Sequence, residues 1–216
     1  MFSRHFLTAN AVALSALCLA IYFPASGSLE LSLLATSALV IFPILAIRIL
    51  IRAPFSQYGI SVGSRHISIN IGITLASIAC ATLLALVFIT KTDIGKAVFT
   101  IPTPLRENFL LFLIHTGIVA WSIAINEFFF RGFILFSWES ISRRAGILAS
   151  ILFVAGYSLL STLHHNISLS WGLFGTTLFF ACGASIVASF TRSILFSFCF
   201  SFVSGILATA FAILFA

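Results

Sequence analysis

The sequence predicts an all-α, polytopic transmembrane helical bundle of about seven spans, and three observations predict it. Hydrophobic residues make up 61% of the 216 residues and charged ones 7%, whereas a soluble domain carries roughly a quarter charged residues. Eleven basic and five acidic side chains cannot cover the surface of a soluble fold of this size. The mean hydropathy is +1.20. The apolar residues also fall in runs near the ~20 residues that a spanning helix needs. These runs are uniformly apolar, unlike the alternating segments of about ten residues that build membrane barrels. Soluble globular, disordered and collagen-like classes are excluded by the same arithmetic. One transmembrane domain over residues 1–216 is expected, with no room for a soluble one.

The first run, 6–23, follows Arg4 and precedes Pro24-Ala25-Ser26-Gly27, a weak imitation of a signal-peptide cleavage site. Six further runs follow, so a retained first helix is expected. The second run is 31–47. Residues 52–66 are polar, with Gly59 and Gly63, and suit the membrane interface before the third run, 67–90. Residues 91–107 contain Pro102 and Pro104, which disfavour helix, and read as the longest outer loop. The fourth run, 109–130, extends to about 141. The last three are 145–163, 169–190 and 193–216.

Seven spans place the termini on opposite sides. Arg4, Arg48, Arg52, Arg65, Arg143, Arg144 and Arg192 then share the N-terminal side, against Lys91, Lys96 and Arg106 on the other. That asymmetry predicts the N-terminus in and the C-terminus out; the membrane is expected to be a bacterial cytoplasmic one. The net charge of +6 therefore reads as orientation rather than nucleic-acid binding. Cys18, Cys80, Cys182 and Cys199 lie in apolar runs without metal-ligand spacing, and read as small membrane residues. No metal or other cofactor is expected.

Polar groups inside the runs carry the functional signal, because a charge at the bilayer centre costs about 2.5–3.5 kcal/mol even on the lenient scale. Glu127 and Arg131 are four apart and share a helix face in the favourable acid-first order. Asn126 turns ~100° away from the acid. The structural reading is a neutralised pair and an amide that glue helices together. The functional reading adds His164 and His165, at the end of the next run. Glu127 lies 16 residues before Arg143 and His164 lies 20 after Arg144, distances of ~24 and ~30 Å along antiparallel helices. An acid and a histidine at similar depth suit general-base activation of water or a proton relay. Ser197, Ser201 and Gly205, and likewise Ala181, Ser185 and Ser189, are spaced by four and read first as small-residue packing seams. His115 lies three turns before Glu127 and reads as a packing or outer-cavity residue.

The Glu127-x-x-x-Arg131-Gly132 spacing behind a polar residue resembles the first motif of the CAAX protease and bacteriocin-processing (CPBP, or Abi) family. The region ending at His164 or His165 is similar to its second motif, and residues 191–205 are similar in position to its third. Gln57-Tyr58-Gly59-Ile60 resembles a further family feature. The likeness covers about residues 55–210. It implies a polytopic intramembrane protease with a glutamate-activated water, a histidine partner and an oxyanion-stabilising His and Asn. Asn126 stands at the first acid position of the motif, Leu160 or Ser161 at the second-motif phenylalanine, Ser201 at the third-motif histidine and Gly205 at its asparagine. An amide cannot take a proton from water at neutral pH.

Three readings follow. As an enzyme, the protein uses Glu127 as base, His164 or His165 as partner and Asn126 as an oxyanion donor, with Arg131 beside the acid. As a non-catalytic relative, it uses the same cavity to bind a membrane-bound protein or peptide, in immunity or peptide maturation. As a small transporter component, it uses Glu127, Arg131 and the histidines as a proton path. All three share the lipid bilayer as a partner, and none involves nucleic acid.

Overall fold

A computed structural model describes residues 4–22, 29–60, 67–92, 95, 108–164 and 171–215. Among these residues the chain is helical and contains no strand. Helix α1 is Arg4–Tyr22 and α2 is Leu29–Leu45, continued by a π-helical stretch, Ala46–Ile51. A 3-10 helix, Phe55–Tyr58, precedes α3, Ile67–Lys91. Helix α4 runs over Phe109–Glu139, and α5, α6 and α7 are Arg143–His164, Trp171–Thr191 and Ile194–Phe215. Five of these, α3 to α7, are long and apolar enough to cross a membrane, the architecture of an integral membrane protein. Two shorter apolar helices, Phe6–Tyr22 and Ser37–Ile51, accompany them. The predicted outer loop over 91–107 lies almost wholly outside the described residues.

The helix ends follow local chemistry. Asn108 is extended, and its side chain accepts the Leu111 N–H at 3.1 Å, capping α4. The Ser142 hydroxyl accepts the Ala145 N–H at the start of α5. Ser193 does the same for Leu195 in α7. Helix α6 ends where Arg192 takes a left-handed φ of 55°.

Helix α4 departs from the uniform α-helix expected. Glu127–Leu135 is π-helical, between α-helical stretches Phe109–Asn126 and Phe136–Glu139. Eight of those nine residues are buried, and a helix buried all round must be central. This segment packs against α1, α2, α5, α6 and α7. The sequence Phe128-Phe129-Phe130-Arg131-Gly132-Phe133 crowds bulky side chains into fewer than two turns, and a π turn is a common device at functional positions. Phe129, Phe130, Phe133, Ile134 and Leu135 form the core with an alanine stripe on α1, Ala9, Ala13, Ala16 and Ala20. The small stripe lets α1 approach closely. A second cluster joins Ala81 of α3, Ala184 and Val187 of α6, and Phe196 and Phe200 of α7.

Gly132 has a specific reason. A Cβ there would lie 3.3 Å from the Tyr58 carbonyl oxygen, because the 54–60 segment docks on α4. Tyr58 stacks on Phe133 at 5.9 Å, and the Gly59 carbonyl accepts the Ile194 N–H at 3.1 Å. The polar interfacial segment thus folds back onto the bundle. Nearby, α4 meets α1 through Trp138, whose indole N–H donates to Asn10 at 2.9 Å while its ring packs on Phe6.

One end of the bundle collects cations. Arg48 lies over the Phe55 ring at 4.8 Å. Arg143 and Arg192 approach Glu139 at 3.9 and 3.5 Å. Arg52 lines a cavity with Phe6 and Ser140 at the same end.

Close approach of α6 and α7 occurs at Gly183, where a Cβ would collide with the Phe200 ring. Gly183→Leu is therefore expected to destabilise the protein by about 1–3 kcal/mol through overpacking. Reversible unfolding of the purified protein in mixed micelles measures it.

Candidate functional site

The buried pair predicted at Glu127 and Arg131 is present, and each member reaches a different neighbouring helix. Arg131 Nη1 lies 3.7 Å from Glu127 Oε1, with the two side chains 6% and 4% exposed. Glu127 Oε1 also accepts the Ser201 hydroxyl of α7 at 2.8 Å. Arg131 Nη2 donates to the Ala181 carbonyl of α6 at 3.2 Å. The pair therefore ties α4 to α6 and α7. Ser201 stands nine residues after Arg192, ~14 Å along α7, close to the middle of a ~30 Å hydrocarbon core. Counted along α4 only to its end at Glu139, Glu127 stands twelve residues, ~18 Å, from the same turn.

The pair is incompletely satisfied. Glu127 Oε2 and Arg131 Nε are buried without a hydrogen-bond partner among the described residues. A buried, half-satisfied polar network is costly, and a binding or catalytic role is one of the explanations such a group calls for.

Both residues line a cavity of about 490 Å³ between α4, α5, α6 and α7. Asn126, half-buried, lines it too, together with Ser161, Ser201 and Gly205. Tyr157, Ser158, Thr162, Thr176 and Thr177 complete its polar wall, and these five were not singled out in the sequence. Ser158, Ser161 and Thr162 share one face of α5 at the three- and four-residue spacing of a helix, a signal available in principle. The Thr162, Thr176 and Thr177 hydroxyls donate to carbonyls one turn back, at 2.6–2.9 Å, leaving their oxygens as acceptors toward the cavity. Glu127 also lines a second cavity of about 500 Å³, which reaches Gly59, Ser193 and Ile194 near the cationic end.

The two small-residue seams behave differently. Ser185 and Ser189 are fully buried. Ser185 donates to the Ala181 carbonyl and meets Ser150 of α5 at 3.0 Å, so this seam packs as expected. Of the three seam positions on α7, Ser197 alone is fully buried. Ser201 serves the acid, and a Cβ on Gly205 would meet nothing within 4 Å. Two of the three positions read as packing therefore face the cavity, because one spacing serves a tight seam and an open wall alike.

The histidine half of the expected site is not assembled among the described residues. The backbone of His164 closes α5, two residues beyond the cavity-lining Thr162, but its side chain and all of His165 lie outside the described residues. His115 is exposed on α4. Among the described residues no group of three or more His, Cys, Asp or Glu converges to hold a metal ion.

Glu139 is a second enclosed acid. It closes α4, has a side chain only 4% exposed, and accepts the Ser189 hydroxyl at 2.8 Å. No protein-family model matches this chain, and no curated protein or solved structure matches it.

The geometry ranks the substitutions. Arg131→Met strands the Glu127 carboxylate and is expected to cost about 3–5 kcal/mol, as for one member of a buried pair. Ser201→Ala removes a single interhelical bond, expected to cost about 0.6–1.7 kcal/mol. Unfolding free energies in one lipid or micelle composition test that order, which a merely peripheral pair would not produce.

Proposed function

We propose that the chain is a CAAX-protease-like (CPBP/Abi) intramembrane protein whose central cavity holds a membrane-embedded peptide or protein segment without cutting it. The observation that carries this reading is convergence. Asn126, Glu127, Arg131, Ser161, Ser201 and Gly205, the positions matched to three separate motifs, line one cavity. The residues standing there favour binding over the family's chemistry. Asn126 offers an amide in place of a base, and Ser201 gives its proton to Glu127 rather than acting as a histidine would. Hydroxyls, an amide and a guanidinium along an otherwise apolar cavity are suited to the exposed carbonyls of a peptide at membrane depth. In this reading α1 and α2 complete about seven spans. The cluster of Arg48, Arg52, Arg143 and Arg192 at one end supports the N-terminus in and the C-terminus out of a bacterial cytoplasmic membrane.

A second reading is hydrolysis with Glu127 as base. The free Oε2 and the cavity leading from Glu127 toward Ser193 favour it, since together they offer an acceptor and a route for water.

One experiment separates the two. The full chain is reconstituted in liposomes with apolar peptides of ~20 residues, and a photocrosslinker replaces Thr177. The binding reading predicts peptide crosslinks, their loss in Gly205→Phe, and no cleavage. Cleavage that disappears in Glu127→Ala would establish hydrolysis instead, and absence of both crosslinks and cleavage would refute both readings.

A further inference from the structure

We propose that the cavity at the cationic end is a binding site for a phosphate group, carried by the headgroup of an anionic lipid. This cavity, of about 450 Å³, lies apart from the Glu127 site and is walled by three pieces of chain that meet there. They are the start of α1, the 51–58 segment and the end of α4. Its polar side presents Arg52, Gln57 and Ser140, and its apolar side Ile51 and Pro54 above the buried rings of Phe6 and Phe136.

Arg52 is the cation of the site. It is exposed, and among the described residues no carboxylate lies within ion-pair distance of it. The enclosed acid at this end, Glu139, is already engaged by Arg143, Arg192 and Ser189. The Arg52 backbone is held at φ 56°, a left-handed conformation rare for a residue with a side chain, and its N–H bonds the Ile47 carbonyl. That geometry ends the π-helical stretch and fixes where the guanidinium leaves the chain. Arginine presents planar, paired donors that match phosphate oxygens. Gln57 adds amide donors. Burial raises the Tyr58 phenol above its ordinary value, against a smaller opposing effect of Ser137, so this lining group stays an O–H donor.

The two-sided lining selects the lipid form of the ligand. A free phosphate would leave the apolar wall at Ile51 and Pro54 uncovered, whereas the glycerol and first acyl carbons of a phospholipid would lie against it. Basic pockets between helices on the cytoplasmic side bind such headgroups, and the cation cluster around this cavity supplies the favourable field.

Native mass spectrometry of the full-length protein, released from micelles containing phosphatidylglycerol or phosphatidylcholine, tests the site. The wild type should retain phosphatidylglycerol about fivefold over phosphatidylcholine, the ratio that one arginine near an anionic headgroup confers. Arg52→Gln and Gln57→Ala should each lower that ratio, and Arg144→Gln, an exposed cation outside the cavity, should leave it unchanged. Circular dichroism checks that each variant is folded. Thermal unfolding with inorganic phosphate alone identifies the source. Stabilisation by phosphatidylglycerol but not by phosphate supports the lipid headgroup, and equal stabilisation by both keeps the phosphate site but overturns the lipid assignment. Retention in folded Arg52→Gln equal to wild type, or an equal loss in Arg144→Gln, would overturn the site.

Discussion

A carboxylate and a guanidinium held out of water near mid-membrane constrain everything around them. Neither can be left alone in hydrocarbon, where one unpaired charge costs several kcal/mol. Their mutual attraction at 3.7 Å is only part of the remedy. Ser201 must come to the acid from α7, and the Ala181 carbonyl must come to the arginine from α6. The pair therefore dictates which faces of α6 and α7 turn toward α4, and leaves a cavity where large side chains would otherwise fill the junction.

The same device recurs lower in the bundle. Glu139 has an arginine four residues on, Arg143, and a serine from another helix, Ser189, as Glu127 has Arg131 and Ser201. The difference is solvent. Arg143 and Arg192 are 50% and 67% exposed in their side chains, so the lower pair is partly wetted and can act as an anchor at the interface. Arg131 is enclosed together with its acid, at 6% and 4% side-chain exposure. One arrangement thus yields an interfacial clamp near the surface and a candidate site in the interior.

The sequence made some of this legible and concealed the rest for physical reasons. Long apolar runs announce helices, because hydrocarbon leaves the backbone no alternative, and the Glu127–Arg131 pair is visible because its members are neighbours on one helix. Ser201 is 74 residues from the acid it serves, and nothing local distinguishes it from Ser197, which packs. The π-helical stretch is equally silent, since it arises from crowding of phenylalanines against five neighbouring helices. Gly132 stands out in the sequence only as part of a motif, and its physical reason, the nearby Tyr58 carbonyl, depends on a segment that reads as polar linker. The role expected of His164 and His165 falls outside the described residues.

The central claim is that Glu127 and Arg131 act as one unit that organises the bundle. A double-mutant cycle with Glu127→Gln, Arg131→Met and the combined variant measures this most directly, by unfolding in a fixed lipid composition. The account predicts that the double variant loses less stability than the two single variants added together, with a coupling in the range of about 0.5–3 kcal/mol seen for contacting residues. Additive losses would contradict it, because they would mean that each residue is held by its other partners and that the pair constrains nothing.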